Sequence, residues 1–586
     1  MNFAMLNTPD LKGFMLLLGP VLPLVFAMAL PIRTLRPAIL KLTPWSFIPA
    51  LLIPWLLPNG TQLILPRLFF EIHLGLDEMG RVFLFFTALL WLAAGVYAYS
   101  YTRNDNHRTG FFAFYLLSAC GNLGLILSLD MLSFYLFFAL MSFAAYGLVV
   151  HNRSPEARRA GRIYICLVVL GEVLLFSAIV IIAKPTGSLR LDYISYASAN
   201  NVAVVLVFLA FGIKTGVVPL HIWLPLAHPE APTPASAVLS GAMIKAGLLG
   251  WLRFLPLGQS AAPQWGAVFM LVGLLSAFFA VVVGLSQKNP KTVLAYSSVS
   301  QMGLMTIAVG MGLTTPALWP LALTAVVFLS LHHALAKGAL FLGVGVVNSA
   351  PAGSGQRLWI VAGLFFLGLA MAGAPFTSGA LAKAVLKSAG ASMLHPWPVW
   401  LAGLLPLSGL GTTLLMTRFL VVVWPAKPAH TTLTSGLWLP WVLLLVLVAG
   451  FVWLVSAVAD ATWQPSAPVK LWDALWPVGS GAVIAGGVIL LARKTGLKIG
   501  FQIPPGDFLL WVEQLARFFK NSLDIYKKEI RLYFNSSGLY GGHRWAEKIR
   551  YQPALWHLEA YLTRWIAAGM IFLSILIIIY LLLFAI

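Results

Sequence analysis

Charge is scarce in this sequence. Charged residues fill 10% of its 586 positions, where a soluble globular chain carries about 25%, so water is not the protein's main solvent. Cysteine is scarcer still. Cys120 and Cys166 each stand alone inside an apolar run, which excludes a disulfide framework or a cysteine-held metal and leaves both as packing residues. No phosphate-cradling glycine loop, iron–sulfur cysteine cluster or nucleophile constellation occurs, so the chain is not catalytic alone and no cofactor is expected in it. The first apolar run lacks a basic flank and a small-residue cleavage site, and it reads as a retained helix rather than a signal peptide.

Apolar residues are abundant, at 60% of the chain. Runs such as Phe14 to Leu30, Val82 to Tyr99, Val204 to Leu220, Val268 to Gly284 and Ile571 to Leu583 are close to the ~20 residues that cross a bilayer. The fold class is therefore an all-α integral membrane protein, with about 14 to 16 transmembrane helices. The net charge of +20 does not indicate nucleic acid, because the basic residues are scattered over loops between spans. The loop after the first span holds Arg33, Arg36 and Lys41, the next holds Glu71, Asp77 and Glu78, the third Arg103, His107 and Arg108, and the fifth Arg153, Arg158, Arg159 and Arg162. This alternation places the odd-numbered loops in the cytoplasm and the N-terminus outside the cytoplasmic (inner) membrane.

Residues from about Pro504 to Arg564 break the pattern, with Leu509, Val512, Leu515, Ala516, Phe519, Leu523 and Tyr526 forming an apolar stripe opposite charges. An amphipathic helix on the membrane surface is expected there, ahead of a final span ending at Ile586. A juxtamembrane tail that touches nothing is the competing reading.

The informative residues are ionisable groups inside apolar spans. Lys214, Lys245, Lys337 and Lys383 each incur a penalty of several kcal/mol unless paired or hydrated. A lysine held between desolvation and a nearby acid can load and release a proton; a lysine reaching to the interface is the alternative. His333 lies four residues before Lys337, on the same helical face. His332, His221 and His228 are further candidates, against the plainer reading of histidines satisfied by backbone carbonyls. Pro219, Pro225, Pro229, Pro232 and Pro234 crowd one stretch. They mark either an unwound helix lining a watery cavity or an ordinary loop between spans.

FGIKTGVVPLHIWLP (211–225), APTPASA (231–237), KTVLAYSSVSQMG (291–303), HALAKGALFLGVGV (333–346) and GAPFTSGALAK (373–383) resemble the proton-conducting antiporter-like family. That family comprises complex I antiporter-like subunits, the large subunits of multisubunit sodium/proton antiporters, and membrane subunits of hydrogenases and formate hydrogenlyases. The resemblance implies two inverted five-helix repeats, each with a broken helix, and a hydrated polar axis. It sets Lys214 at the first-channel lysine, Lys245 at the connecting lysine, His333 and Lys337 in the broken helix of the second repeat, and Lys383 at the exit. It further implies a lateral helix before the last span.

The chain then divides into N-terminal spans (1–80), a first repeat (81–260), a second repeat (261–425), C-terminal spans (426–500), the amphipathic region (501–562) and a final span (563–586). One departure stands out: in LFFALMS (136–142) the family's usual glutamate is replaced by Ala139, and Glu172 is the acid left to face Lys214.

The expected function is proton translocation as a subunit of a larger complex, of complex I or hydrogenase type, driven by redox chemistry or ion flow in partners. Those partners are other membrane subunits and a peripheral redox module. A sodium/proton antiporter subunit, a membrane subunit for proton-coupled inorganic-carbon uptake, and a non-conducting structural anchor are the alternatives.

Overall fold

In lipid, backbone groups must be satisfied within the protein, and a helix does this within one segment. A computed structural model describes residues 11–66, 71–193, 200–351, 353–425, 433–451, 453–454, 471–495 and 503–507, and almost all of this is helix. Fourteen helical stretches among the described residues are long and apolar enough to cross a membrane. The expected lateral helix and final span lie outside the described residues.

The spans are α1 (Leu11–Ala29), α2 (Arg36–Leu56), α3 (Glu78–Tyr101), α4 (Arg108–Leu127), α5 (Met131–Val149) and α6 (Pro155–Thr186). A seventh is divided into α7 (Asn201–Thr215) and α8 (Trp223–Glu230). Then come α9 (Thr233–Phe254), α10 (Pro263–Leu285), α11 (Pro290–Thr314) and α12 (Trp319–Ser349). A second divided pair, α13 (Gly355–Ala372) and α14 (Ser378–Ala391), precedes α15 (Trp397–Val423), the shorter α16 (Ser435–Ala449) and α17 (Leu471–Thr495). The scarce polar residues start helices: Asp77 accepts from Gly80 N at 2.6 Å, Asp130 from Ser133 N at 2.7 Å and Ser154 from Ala157 N at 3.0 Å, satisfying donors that a helix start leaves open.

Loops gather on two faces, as the charge alternation requires. On one, β1 (Thr61–Leu65) and β2 (Ile72–Leu76) form an antiparallel hairpin, His73 N donates to Asp130, and Arg253 reaches Asp77 at 3.3 Å. On the other, His151 Nε2 meets Asp105 Oδ2 at 2.6 Å and Asn152 donates to the Glu230 carbonyl. Lys291 Nζ donates to the Ala231 carbonyl there. Partial burial pushes the Asp105 carboxyl up, but the hydrogen bonds and charges of His151 and His107 outweigh it and hold the group below the usual carboxylate range. The Asp105 side of the clamp between these two loops is thus a carboxylate at neutral pH.

Three expectations need correction. The helix carrying His333 and Lys337 is α12, which is continuous from Trp319 to Ser349. The break in that half of the chain falls instead between α13 and α14, where Gly373 has φ 86° and Phe376 has φ 61°, a left-handed backbone that glycine adopts without strain and phenylalanine does not. Of the clustered prolines, only Pro219 lies in the gap between α7 and α8. Pro225 sits in the first turn of α8, and Pro232 and Pro234 flank the start of α9, where a missing N–H is harmless. Finally, Cys166 is exposed on the apolar outer face of α6 and is not a core residue, whereas Cys120 is buried.

Candidate proton-handling site

The apolar sequences of α9, α11 and α12 pack these helices into the protein core, and several of their few polar groups are partnered by one another. A π turn at Leu239–Met243 widens α9 just before Lys245, a feature that often marks functional positions. Lys245 Nζ folds back onto it, donating to the Ser240 carbonyl at 2.7 Å, and it meets His333 Nδ1 at 2.5 Å. Ser240 Oγ lies 2.8 Å from Ser298 Oγ, which donates to the Leu294 carbonyl at 3.0 Å. Lys337 Nζ donates to that same carbonyl at 2.7 Å and to Ser297 Oγ. Lys337 of α12 thus rests on one turn of α11, and the pair of Lys245 on α9 and His333 on α12 is linked to that turn through Ser240 and Ser298, all buried.

The chain of contacts extends in both directions. His332 Nδ1 lies 2.7 Å from Ser378 Oγ at the start of α14, and its Nε2 has no partner among the described residues. Lys383, one and a half turns along α14, donates to the Ala372 carbonyl at 2.8 Å, across the break. It lines a cavity of about 270 Å³ with Lys387, Gly409, Asp473 and Pro477, ample for water beside a charged group. Toward α8, His228 is buried with its ring stacked 4.6 Å from Phe341 and neither nitrogen bonded among the described residues. Lys337 is close enough to act on it electrostatically.

Lys214 and Glu172 make a separate cluster. Lys214, in the last turn of α7, donates to Tyr164 Oη at 3.1 Å, and Tyr164 donates onward to the Ser142 carbonyl at 2.9 Å. The rings of Phe138, Tyr164 and Trp223 surround the ammonium at 5.5 to 6.0 Å, and such contacts partly offset desolvation. Ala139 is buried nearby on α5. Glu172 is buried beside the Ser142 hydroxyl, in electrostatic reach of Lys214 but without direct contact.

His221 sits between α7 and α8 and meets Asp507 Oδ2 at 3.3 Å. Sequence reasoning missed Tyr164, Ser297, Ser298, Ser378 and Asp507. The serines lay inside motifs already singled out, whereas nothing local marks Asp507.

Residues 128–406, which contain most of these groups, match the family described as NADH:quinone oxidoreductase/Mrp antiporter, TM. Hydrogenase-4 component B of Escherichia coli (strain K12) is 32% identical over 302 residues, 48% of this chain and 44% of that protein. Na(+)/H(+) antiporter subunit A1 of Staphylococcus aureus is 30% identical over 400 residues, 62% of this chain and 50% of its own. The chain spans about half the length of these curated relatives.

Among solved structures, the Mrp complex from Dietzia sp. DQ12-45-1b superposes with TM-score 0.66 at 19% identity, over 81% of this chain and 100% of that one. The membrane-bound sulfane sulfur reductase, an archaeal respiratory membrane complex, gives 0.65 at 22% identity, over 93% and 99%. These likenesses establish a shared fold, and the protein is a multi-pass, antiporter-like integral membrane chain.

Proposed function

We propose that this chain translocates protons as a membrane subunit of a larger complex, passing them among Glu172 and Lys214, then Lys245, His333 and Lys337, and on through His332 and Ser378 to Lys383. The observation that carries this reading is the continuous set of contacts from the Lys245–His333 pair through Ser240 and Ser298 to the Leu294 carbonyl that Lys337 also holds. Among the described residues these lysines have only neutral or basic partners. Three basic groups so placed disfavour one another's protonation, so a proton accepted by one weakens the hold of the next, which is what transfer requires. The driving force is assigned to partner subunits, by redox chemistry or by flow of another ion, and proteins that co-purify in mild detergent would identify it.

The basic loop face is assigned to the cytoplasm of the inner membrane, which puts the N-terminus outside. Trypsin is then expected to cut at Arg153 in everted vesicles and not in right-side-out ones; the reverse would invert the assignment.

Glu172 is assigned the part of the carboxylate missing at Ala139. With the complex reconstituted in sealed vesicles, the Glu172→Gln variant is expected to lower driven proton uptake by roughly a hundredfold, the lower edge of what removing a proton-transfer group does. Unchanged uptake would reject this role for Glu172. Sodium/proton exchange is the second reading, favoured by the match to the Staphylococcus aureus antiporter subunit, which covers more of this chain than the hydrogenase relative does. Proton uptake that vanishes when sodium is omitted would select it.

A further inference from the structure

After its last described helix the chain returns to the core. At the basic loop face, Ile503 N donates to Ser286 Oγ at 3.3 Å and its carbonyl accepts from Gln287 Nε2 at 2.8 Å. From there IPPGD (503–507) turns inward past Leu226, with Gly506 at φ 84°, a conformation that favours glycine. Asp507 ends up only 7% exposed, with its Oδ2 accepting from Tyr296 Oη at 3.1 Å and 3.3 Å from His221 Nε2. His221 is itself fully buried, faced by the rings of Tyr296 on α11 and Phe279 on α10. The depth is consistent with the chain's reach. The eight residues of α8 put His221 about 12 Å below the loop face, and four extended residues span at most about 13 Å.

We propose that Asp507 and His221 form a proton-binding pair in the gap between α7 and α8, its acid supplied by the far end of the chain. This deepens the proton-conducting reading and rests on it. At rest the pair shares one proton between Oδ2 and Nε2. A second proton gives an imidazolium beside a neutral acid, and its departure restores the starting state, while the Tyr296 hydroxyl holds the carboxyl oxygen throughout. Docking alone does not explain the residue type. An asparagine would keep both contacts without the penalty of burying a carboxylate, and an ionisable group at membrane depth is costly enough to imply use.

The test uses the full chain in its complex, reconstituted in vesicles with a trapped pH-sensitive dye. Asp507→Asn and His221→Gln are each expected to cut proton flux by about a hundredfold or more, with the double variant no worse than either. Thermal unfolding of Asp507→Asn should match the parent. Wild-type flux in Asp507→Asn overturns the proposal, as does a flux loss that only follows a fall in folded complex. Should Asp507→Asn not fold, His221→Gln decides by the same criterion. Lys337→Met separates the two levels of the argument: if it is silent along with Asp507→Asn, the conduction reading fails, whereas flux lost only in Lys337→Met removes this pair alone.

Discussion

Replacing Lys337 by methionine is expected to reduce proton flux through the reconstituted complex by about a hundredfold or more, the scale on which removing a positioned proton-transfer group acts, while leaving the fold intact. The two halves of this expectation come from the same contacts. Lys337 is fully buried, and its ammonium rests on neutral acceptors alone, the Leu294 carbonyl and Ser297 Oγ. Methionine fills nearly the same volume, and Ser297 Oγ and Ser298 Oγ still donate to that carbonyl, so no buried acceptor loses its last partner. Removing an ammonium without a counterion is then neutral or stabilising. Flux measured with a trapped dye, alongside thermal unfolding in detergent, separates the two effects. Wild-type flux in Lys337→Met would remove this lysine from the pathway.

The second large effect is on stability, at Gly303. Here α10 and α11 touch backbone to backbone, and the contact is reciprocal. A Cβ on Gly303 falls 2.5 Å from the Gly273 carbonyl oxygen and 2.8 Å from Ala277 N, and a Cβ on Gly273 falls 2.6 Å from the Gly303 carbonyl oxygen. Gly266 and Gly310 repeat the arrangement two turns away, with 2.7 and 2.6 Å. Small residues let membrane helices approach this closely, and packing there replaces the hydrophobic drive that lipid removes. Because the obstacles are main-chain atoms, no side chain can yield. Gly303→Val is expected to cost more than the ~1–3 kcal/mol of ordinary overpacking and to lower both the unfolding temperature and the yield of solubilised protein. It also displaces α11, which supplies the acceptors for Lys337, so flux per folded molecule falls as well. A valine variant with parental stability would mean that the two helices tolerate separation.

Membrane class, loop alternation and the buried lysines were legible in the sequence because the bilayer imposes them directly: length, loop charge and apolar context each leave a local signature. The partners were not. Ser298 and Ser297 look like ordinary polar interruptions of an apolar run, and their role depends on α9 and α12 packing against one turn. The π turn before Lys245 has no strong local code. The proline cluster misled because proline both breaks helices and starts them, and which it does depends on position within the first turn. The resemblance set the second break at His333 and Lys337, whereas Gly373 to Thr377 carry it with a single proline, and the continuity of α12 could only come from its packing. Asp507 lies some two hundred residues beyond Tyr296 in a short Pro-Gly turn, and no periodicity connects them.

The exposed sulfur on α6 makes the chain its own reporter. Cys166 shares its outer stripe with Val169, Leu170, Val173 and Phe176, while the only other thiol is enclosed by neighbouring helices. A lipid-soluble maleimide would therefore mark one position without any engineered cysteine. Comparing its attachment to the isolated chain and to the assembled complex would tell whether lipid or another protein lies against that side.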